Sequence, residues 1–99
     1  MIVMLLLAAL LGTPFIQSGV VTGGGVAVGP GMRVATHCIG HDIVSTYNGE
    51  NGAYWLEIPG RVCVTQAWSV RGEYTSGPVL FVAGGDVSVD LDLRRPAIR

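Results

Sequence analysis

Hydrophobic and polar positions alternate most regularly in the middle of the chain. From Tyr54 to Ile58 every second residue is apolar, which is the period of a half-buried strand. Pro59-Gly60 interrupts the run, and the alternation then resumes with Val62 and Val64, which we expect to face the core. The pattern predicts two strands joined by a tight corner.

The rest of the chain continues this pattern of short strands separated by turns. Val87–Leu93 alternates apolar and polar residues, whereas Pro78–Ala83 is apolar throughout and predicts a buried strand. Glycine or proline turns recur every eight to twelve residues or so, a spacing typical of antiparallel sandwiches. We therefore predict an all-β domain.

The first segment has a different character. Met1–Gly12 is apolar, but it is shorter than the roughly 20 residues that a membrane-spanning helix needs. Its length is typical of a signal-peptide core, with cleavage after Ser18 or Gly19, although no basic residue precedes it. The alternatives are a membrane anchor formed by residues 1–16 or a hydrophobic assembly arm. We divide the chain into residues 1–18 and a domain over residues 19–99.

Composition excludes several functions. The chain has 99 residues, a net charge of −1, and six basic residues that are all arginine. Nucleic-acid binding is disfavoured because no basic patch could neutralise phosphates. Without lysine, Schiff-base and phosphate-loop chemistry are unavailable, and we expect no cofactor.

Four stretches together resemble carboxypeptidase regulatory-like domains. Gly19–Thr22, reading GVVT, is followed after a glycine-bearing turn by Gly31–Val34. Asn51–Val64, reading NGAYWLEIPGRVCV, is similar to the central signature of the family, in which a strand leads through Pro-Gly into another strand. Val87–Leu93 resembles its last strand. The resemblance covers nearly everything after the first segment.

This resemblance implies a transthyretin-like, antiparallel seven-stranded β-sandwich. It does not imply one function, because fold and function separate freely. Val62 departs from the family, which usually has Tyr there, and the two cysteines are not required by it. The isopeptide bond of related pilin-type domains cannot form without lysine.

Cys38 and Cys63 are the two cysteines, and in an exported chain such a pair predicts a disulfide. The strand pattern leaves this open, since Cys38 shares a face with Val34 whereas Cys63 lies between Val62 and Val64. Two unpaired thiols are the alternative.

Two further groups of residues are candidates for function. His37, Cys38, His41 and Asp42 have ligand chemistry, but their spacing matches no metal motif, so they are weak candidates and we expect no metal. The second group consists of aromatic residues that could form an exposed set for binding a protein or stacking on sugar rings: Trp55, Trp68 and Tyr74.

The sequence contains no paired carboxylates, nucleophile elbow or phosphate loop, and therefore predicts a non-enzymatic protein. We expect a secreted or cell-surface module for adhesion, scaffolding or assembly, with a protein partner or self-association. A virion or filament subunit with an apolar N-terminal arm is the alternative. A carbohydrate-binding module that uses Trp55 and Trp68 is a further one.

Overall fold

The computed structural model describes residues 14–95 and contains nine strands in two sheets. One 3₁₀ turn, Glu50–Gly52, precedes the fifth strand. The strands are β1 (Phe15–Gly23), β2 (Val26–Ala27), β3 (Arg33–Cys38), β4 (Val44–Tyr47), β5 (Ala53–Ile58), β6 (Val62–Trp68), β7 (Val79–Val82), β8 (Val87–Ser88) and β9 (Leu91–Leu93).

The two sheets pack face to face around one core. The four-stranded sheet has the order β4-β3-β6-β7 and is antiparallel throughout. The five-stranded sheet is built on β1, which pairs antiparallel with β2 and β5 and parallel with β8 and β9. The predicted β-sandwich class is confirmed, but the described part has more strands than the seven predicted and is not wholly antiparallel.

β1 begins at Phe15, so the predicted boundary between residues 18 and 19 falls inside a strand. Phe15 pairs with Ile58, and the register continues to Val20 opposite Ala53. The sequence predicts a short strand at Val20–Thr22, but the first part of β1 was missed because its residues continue the apolar run of the segment before it. The rest of that segment, residues 1–13, lies outside the described residues, so its predicted role as a signal or arm is not tested.

A buried hydrogen-bond network joins the two sheets at the centre of the core. The amide of Gln17 on β1 donates to the Tyr54 hydroxyl and to Thr65 Oγ1, each at 3.0 Å, and its Oε1 accepts from the Thr36 hydroxyl at 2.6 Å. Gln17 and Tyr54 belong to the five-stranded sheet, and Thr36 and Thr65 to the four-stranded sheet. One side chain therefore links strands from both sheets.

Every polar group of this network has a partner. The Thr65 hydroxyl donates to the carbonyl of Ala35 at 3.1 Å, and the Tyr54 hydroxyl donates to the carbonyl of Val89. Among residues 14–95, no buried side-chain nitrogen or oxygen lacks a hydrogen-bond partner. The network is therefore compatible with burial, since only unpaired polar groups carry the full desolvation cost.

Aspartate side chains complete the hydrogen bonding of β1 where β8 and β9 do not. Asp86 Oδ1 accepts the N–H of Ile16, and Asp90 Oδ1 accepts the N–H of Val20, each at 2.9 Å. Between these points the link from β8 to β9 crosses close to Gly19, where any side chain would collide with the carbonyl oxygen of Val89. The glycine that opens the GVVT stretch is thus required by a close backbone crossing.

The inward face of β6 is the opposite of the one predicted. Cys63, Thr65 and Ala67 are buried, whereas Val62 and Val64 lie on the outer side. The hydrophobic pattern was misleading because the core accepts Thr65 through its hydrogen bonds, while the outer side of the strand carries aliphatic residues. By contrast, the alternation of Val87–Leu93 is confirmed, since Val89, Leu91 and Leu93 are all buried and Val87 packs against the core.

A truncation series tests the position of the domain boundary. We expect residues 14–99 to fold alone and residues 19–99 to fail, because the shorter chain loses Gln17 and the part of β1 that pairs with Trp55–Ile58. A circular-dichroism melt of both chains is the measurement. A cooperative melt of the shorter chain at the midpoint of the longer one would show that Phe15–Ser18 is dispensable.

Alkaline titration tests the burial of Tyr54. Burial, reinforced by the charge of Asp90 and opposed by the Gln17 hydrogen bond, raises the pKa of the Tyr54 phenol from 10.0 to about 12. Between these values only the unfolded chain releases the proton, so the stability is complete below pH 10 and falls as pH rises toward 12, by about 1.4 kcal/mol per pH unit.

The measurement is urea unfolding at about pH 9 and about pH 11. We expect a larger loss for wild type than for Tyr54→Phe, which has no phenol at this position. The comparison is favourable because the chain has no lysine to titrate in the same range. An equal loss in both proteins would contradict the assignment.

Candidate functional site

The two cysteines form a disulfide, Cys38–Cys63, within the four-stranded sheet. They are directly opposite in the register of β3 and β6, and both are buried. The N–H of Ile39 donates to the carbonyl of Val62 at 2.9 Å, which makes the cysteines a non-hydrogen-bonded pair, the position where opposite residues come closest. The sulfur atoms are therefore committed to one another, and a Cys38 nucleophile or metal ligand is excluded in this state.

The weak metal candidates do not form a site. His37 is exposed on β3, and His41 and Asp42 are exposed in the turn that follows the strand. Within residues 14–95, no three His, Cys, Asp or Glu side chains are placed to hold a metal ion. These residues are close in the sequence, but they do not form one set of ligands because Cys38 points into the core.

The three aromatic candidates lie on three different surfaces. Trp55 is 65% exposed on the outer side of the five-stranded sheet, whereas Trp68 lies half-buried on the outer side of the four-stranded sheet. Tyr74, 43% exposed, belongs to the loop between β6 and β7. The expected aromatic set is therefore wrong as a single platform, because the two sheets turn their outer sides in opposite directions.

Trp68 instead forms a row with two residues that the sequence did not single out. In the sheet register Arg33 lies between Trp68 on β6 and Tyr47 on β4. The guanidinium carbon of Arg33 is 5.8 Å from the centroid of the Trp68 ring, a cation–π distance, and Tyr47 is exposed. We name these three residues the aromatic end of the outer face, the face of the four-stranded sheet that points away from the core.

A shallow groove of about 490 Å³ lies along the aromatic end. Gly31, Ser69, Val70 and Gly72 complete its lining, and Val70 is largely exposed. The groove thus offers two aromatic rings, one cation and an aliphatic side chain to a ligand.

The opposite end of the same face is aliphatic. Val62 pairs with Val82, and Val64 pairs with Leu80, so these side chains form two adjacent rows across β6 and β7. We name these four residues the aliphatic end. Six residues of strand separate Val62 from Trp68, a distance of about 20 Å. Side chains alternate along a strand, so a buried Cys63 requires its neighbours Val62 and Val64 to point outward. The sequence would therefore have identified this end if the burial of Cys63 had been known.

A larger cavity of about 960 Å³ opens at one edge of the sandwich, beside the turn from β1 to β2. Val28, Met32, Tyr74 and Leu93 line its apolar part. Among its charged groups, Arg94 Nε lies 3.2 Å from Asp92 Oδ2, and Arg95 also lines the cavity.

Asp92 is further engaged inside this cavity. The Thr22 hydroxyl, the N–H of Gly25 and the Arg94 guanidinium hold the pKa of the Asp92 carboxyl below its usual value. The carboxylate is thus held by hydrogen-bond donors of this chain.

Comparisons with known proteins inform the fold. No protein-family model and no curated protein matches the chain. A crystal structure of a DUF3823 family protein from Parabacteroides merdae ATCC 43184 matches 82% of this chain with a TM-score of 0.62 and 17% sequence identity. The chain spans 46% of the length of that protein. The likeness shows the sandwich fold alone. The part of the chain that the structure describes also contains no helix able to cross a membrane.

Proposed function

We propose that this chain is a non-enzymatic, exported β-sandwich module that binds a protein partner through its outer face. The observation that carries the proposal is the row of Tyr47, Arg33 and Trp68 on that face. Tryptophan, tyrosine and arginine are the residue types that most often dominate the energy of protein interfaces. Adhesion, scaffolding and surface assembly are the roles that such a module serves.

The finer assignment, a transthyretin-like domain of the carboxypeptidase regulatory-like type, forms part of this proposal. The placement of its signature glycines supports it. Gly19 permits the crossing of the β8–β9 link, and Gly52 adopts φ +76° where a side chain would collide with the carbonyl of Val21. These positions belong to two of the four stretches that carry the resemblance.

Export is supported by the buried disulfide, since stable disulfides belong to oxidising compartments. It also needs a different processing site from the one predicted. Cleavage after Ser18 or Gly19 would remove Gln17 from the core, so removal of the first segment has to occur before Phe15.

The carbohydrate-binding alternative loses its main support in the structure. Trp55 and Trp68 cannot stack on one sugar chain from opposite outer sides of the sandwich. A virion or filament subunit remains the second candidate, and the exposed Leu80 and Val82 favour it because they leave an apolar surface for a neighbouring subunit.

Intact mass spectrometry of the native protein tests export. We expect an amino terminus at or before Phe15, because a longer truncation removes Gln17 from the core, and a mass that rises by two hydrogen atoms when Cys38 and Cys63 are reduced. Cytosolic protein with both thiols free would contradict the proposed location.

A matched pair of tryptophan variants tests the interface. Peptides selected on the immobilised wild-type protein from a random-peptide phage library should bind Trp55→Ala normally, because Trp55 is on the other outer side. They should lose at least about tenfold in affinity on Trp68→Ala, the size of an interface hot-spot effect. Thermal melts of both variants verify folding.

Two outcomes would count against the proposed interface. Selected peptides that bind Trp68→Ala and Arg33→Ala as tightly as wild type would show that the aromatic end is not the binding surface. Binding on a glycan array that is lost in Trp55→Ala would favour the carbohydrate-binding alternative.

A further inference from the structure

Strand β7 is apolar on both of its sides although only one side is covered. Val79 and Phe81 pack against the core, whereas Leu80 is 80% exposed and Val82 is 74% exposed. The sequence predicts a buried strand here, but the structure places it at the margin of the four-stranded sheet, where β6 is its one partner among residues 14–95. Aliphatic side chains at an open margin are compatible with a surface that another chain covers.

The hydrogen bonding of the β7 backbone also favours a contact with another chain. The N–H of Ala83 donates to the carbonyl of Arg61 at 2.7 Å, which fixes the alternation of the ladder between β6 and β7. Leu80 and Val82 are consequently at non-hydrogen-bonded positions opposite Val64 and Val62. Their N–H and C=O groups face away from β6, toward the open margin.

β7 is short and is preceded by Pro78, but its own residues lack the side-chain protection of an edge strand. Natural edges carry lysine, proline, bulges or inward charges that prevent pairing with another chain. The residues Val79–Val82 include no charge and no proline, and their register with β6 is unbroken. β1 provides a contrast in the same protein, because carboxylates of Asp86 and Asp90 accept its unpaired N–H groups.

We propose that β7 pairs with β7 of a second copy of this chain, antiparallel about a two-fold axis at Phe81. Leu80 then lies opposite Val82 of the second copy, and Val82 opposite its Leu80. Each of these pairs can exchange two N–H···O bonds, because both residues have their backbone groups on the open side. The two four-stranded sheets become one continuous sheet.

The residues of β7 favour a second copy of this chain as the partner at its open edge. A two-fold axis at Phe81 places aliphatic residues opposite aliphatic residues, and no like charges meet, because the strand has none. The flanks are unobstructed, since a side chain added at Gly77, Gly84 or Gly85 would meet no atom within 4 Å. The aliphatic ends of the two copies merge into one apolar surface. Such a self-complementary contact by itself forms a closed dimer.

Sedimentation velocity of the folded protein over a range of concentrations tests the dimer. We expect wild type to dimerise and Val82→Pro to be at least about 30-fold weaker, the scale of an interface hot spot. The proline removes an outward N–H while leaving every bond to β6 in place. Leu80→Lys should weaken the dimer similarly, through charge at the edge. Val26→Lys, a similarly exposed aliphatic position on β2 in the other sheet, is the matched control and should dimerise normally.

Hydrogen exchange provides a readout that needs no variant. The amides of Leu80 and Val82 should become protected as wild-type concentration rises, because within the described residues neither amide has a hydrogen-bond acceptor. A wild-type protein that stays monomeric at all concentrations would overturn the proposal. So would a dimer that survives both Val82→Pro and Leu80→Lys, or a dimer in which these two amides exchange freely. The peptide-binding test at Trp68 is separate, because the aromatic end lies about 20 Å from Val82.

Discussion

The hydrogen bonds of Gln17 are the interaction on which the rest of the structure depends. A buried amide must satisfy two donors and an acceptor, and here its partners are Tyr54, Thr36 and Thr65. These residues come from both sheets, so the network is complete only in one relative placement of the sheets. Burial of polar groups adds little net stability, but an incomplete network is costly, and this cost favours a unique arrangement.

The network and the disulfide together determine which side of β6 faces inward. Thr65 is a member of the network, and Cys63 is bonded to Cys38, so both must lie in the core. Because side chains alternate along a strand, Val62, Val64 and Trp68 are then forced outward. The surface proposed for binding is thus a direct consequence of what the core requires.

The two sheets treat their unpaired backbone groups in different ways. In the five-stranded sheet, aspartate carboxylates accept the N–H groups that β8 and β9 leave free on β1. In the four-stranded sheet, β7 keeps an apolar and unprotected edge beside aliphatic side chains. This asymmetry is the basis for proposing recognition on the four-stranded sheet, with the aromatic end for a protein partner and the aliphatic end for a second copy.

The sequence by itself determined the all-β class, most of the turns, and the buried alternation of Val87–Leu93, because strand period and glycine-proline breaks are local signals. Tertiary structure alone decided that Phe15–Ser18 belongs to β1 and that Thr65, rather than Val64, is buried. It also separated Trp55 from Trp68 and left Leu80 exposed at an edge. The physical reason is that hydrophobicity identifies apolar residues, whereas burial depends on which polar groups find partners across the sheets and on which strand lies at the margin.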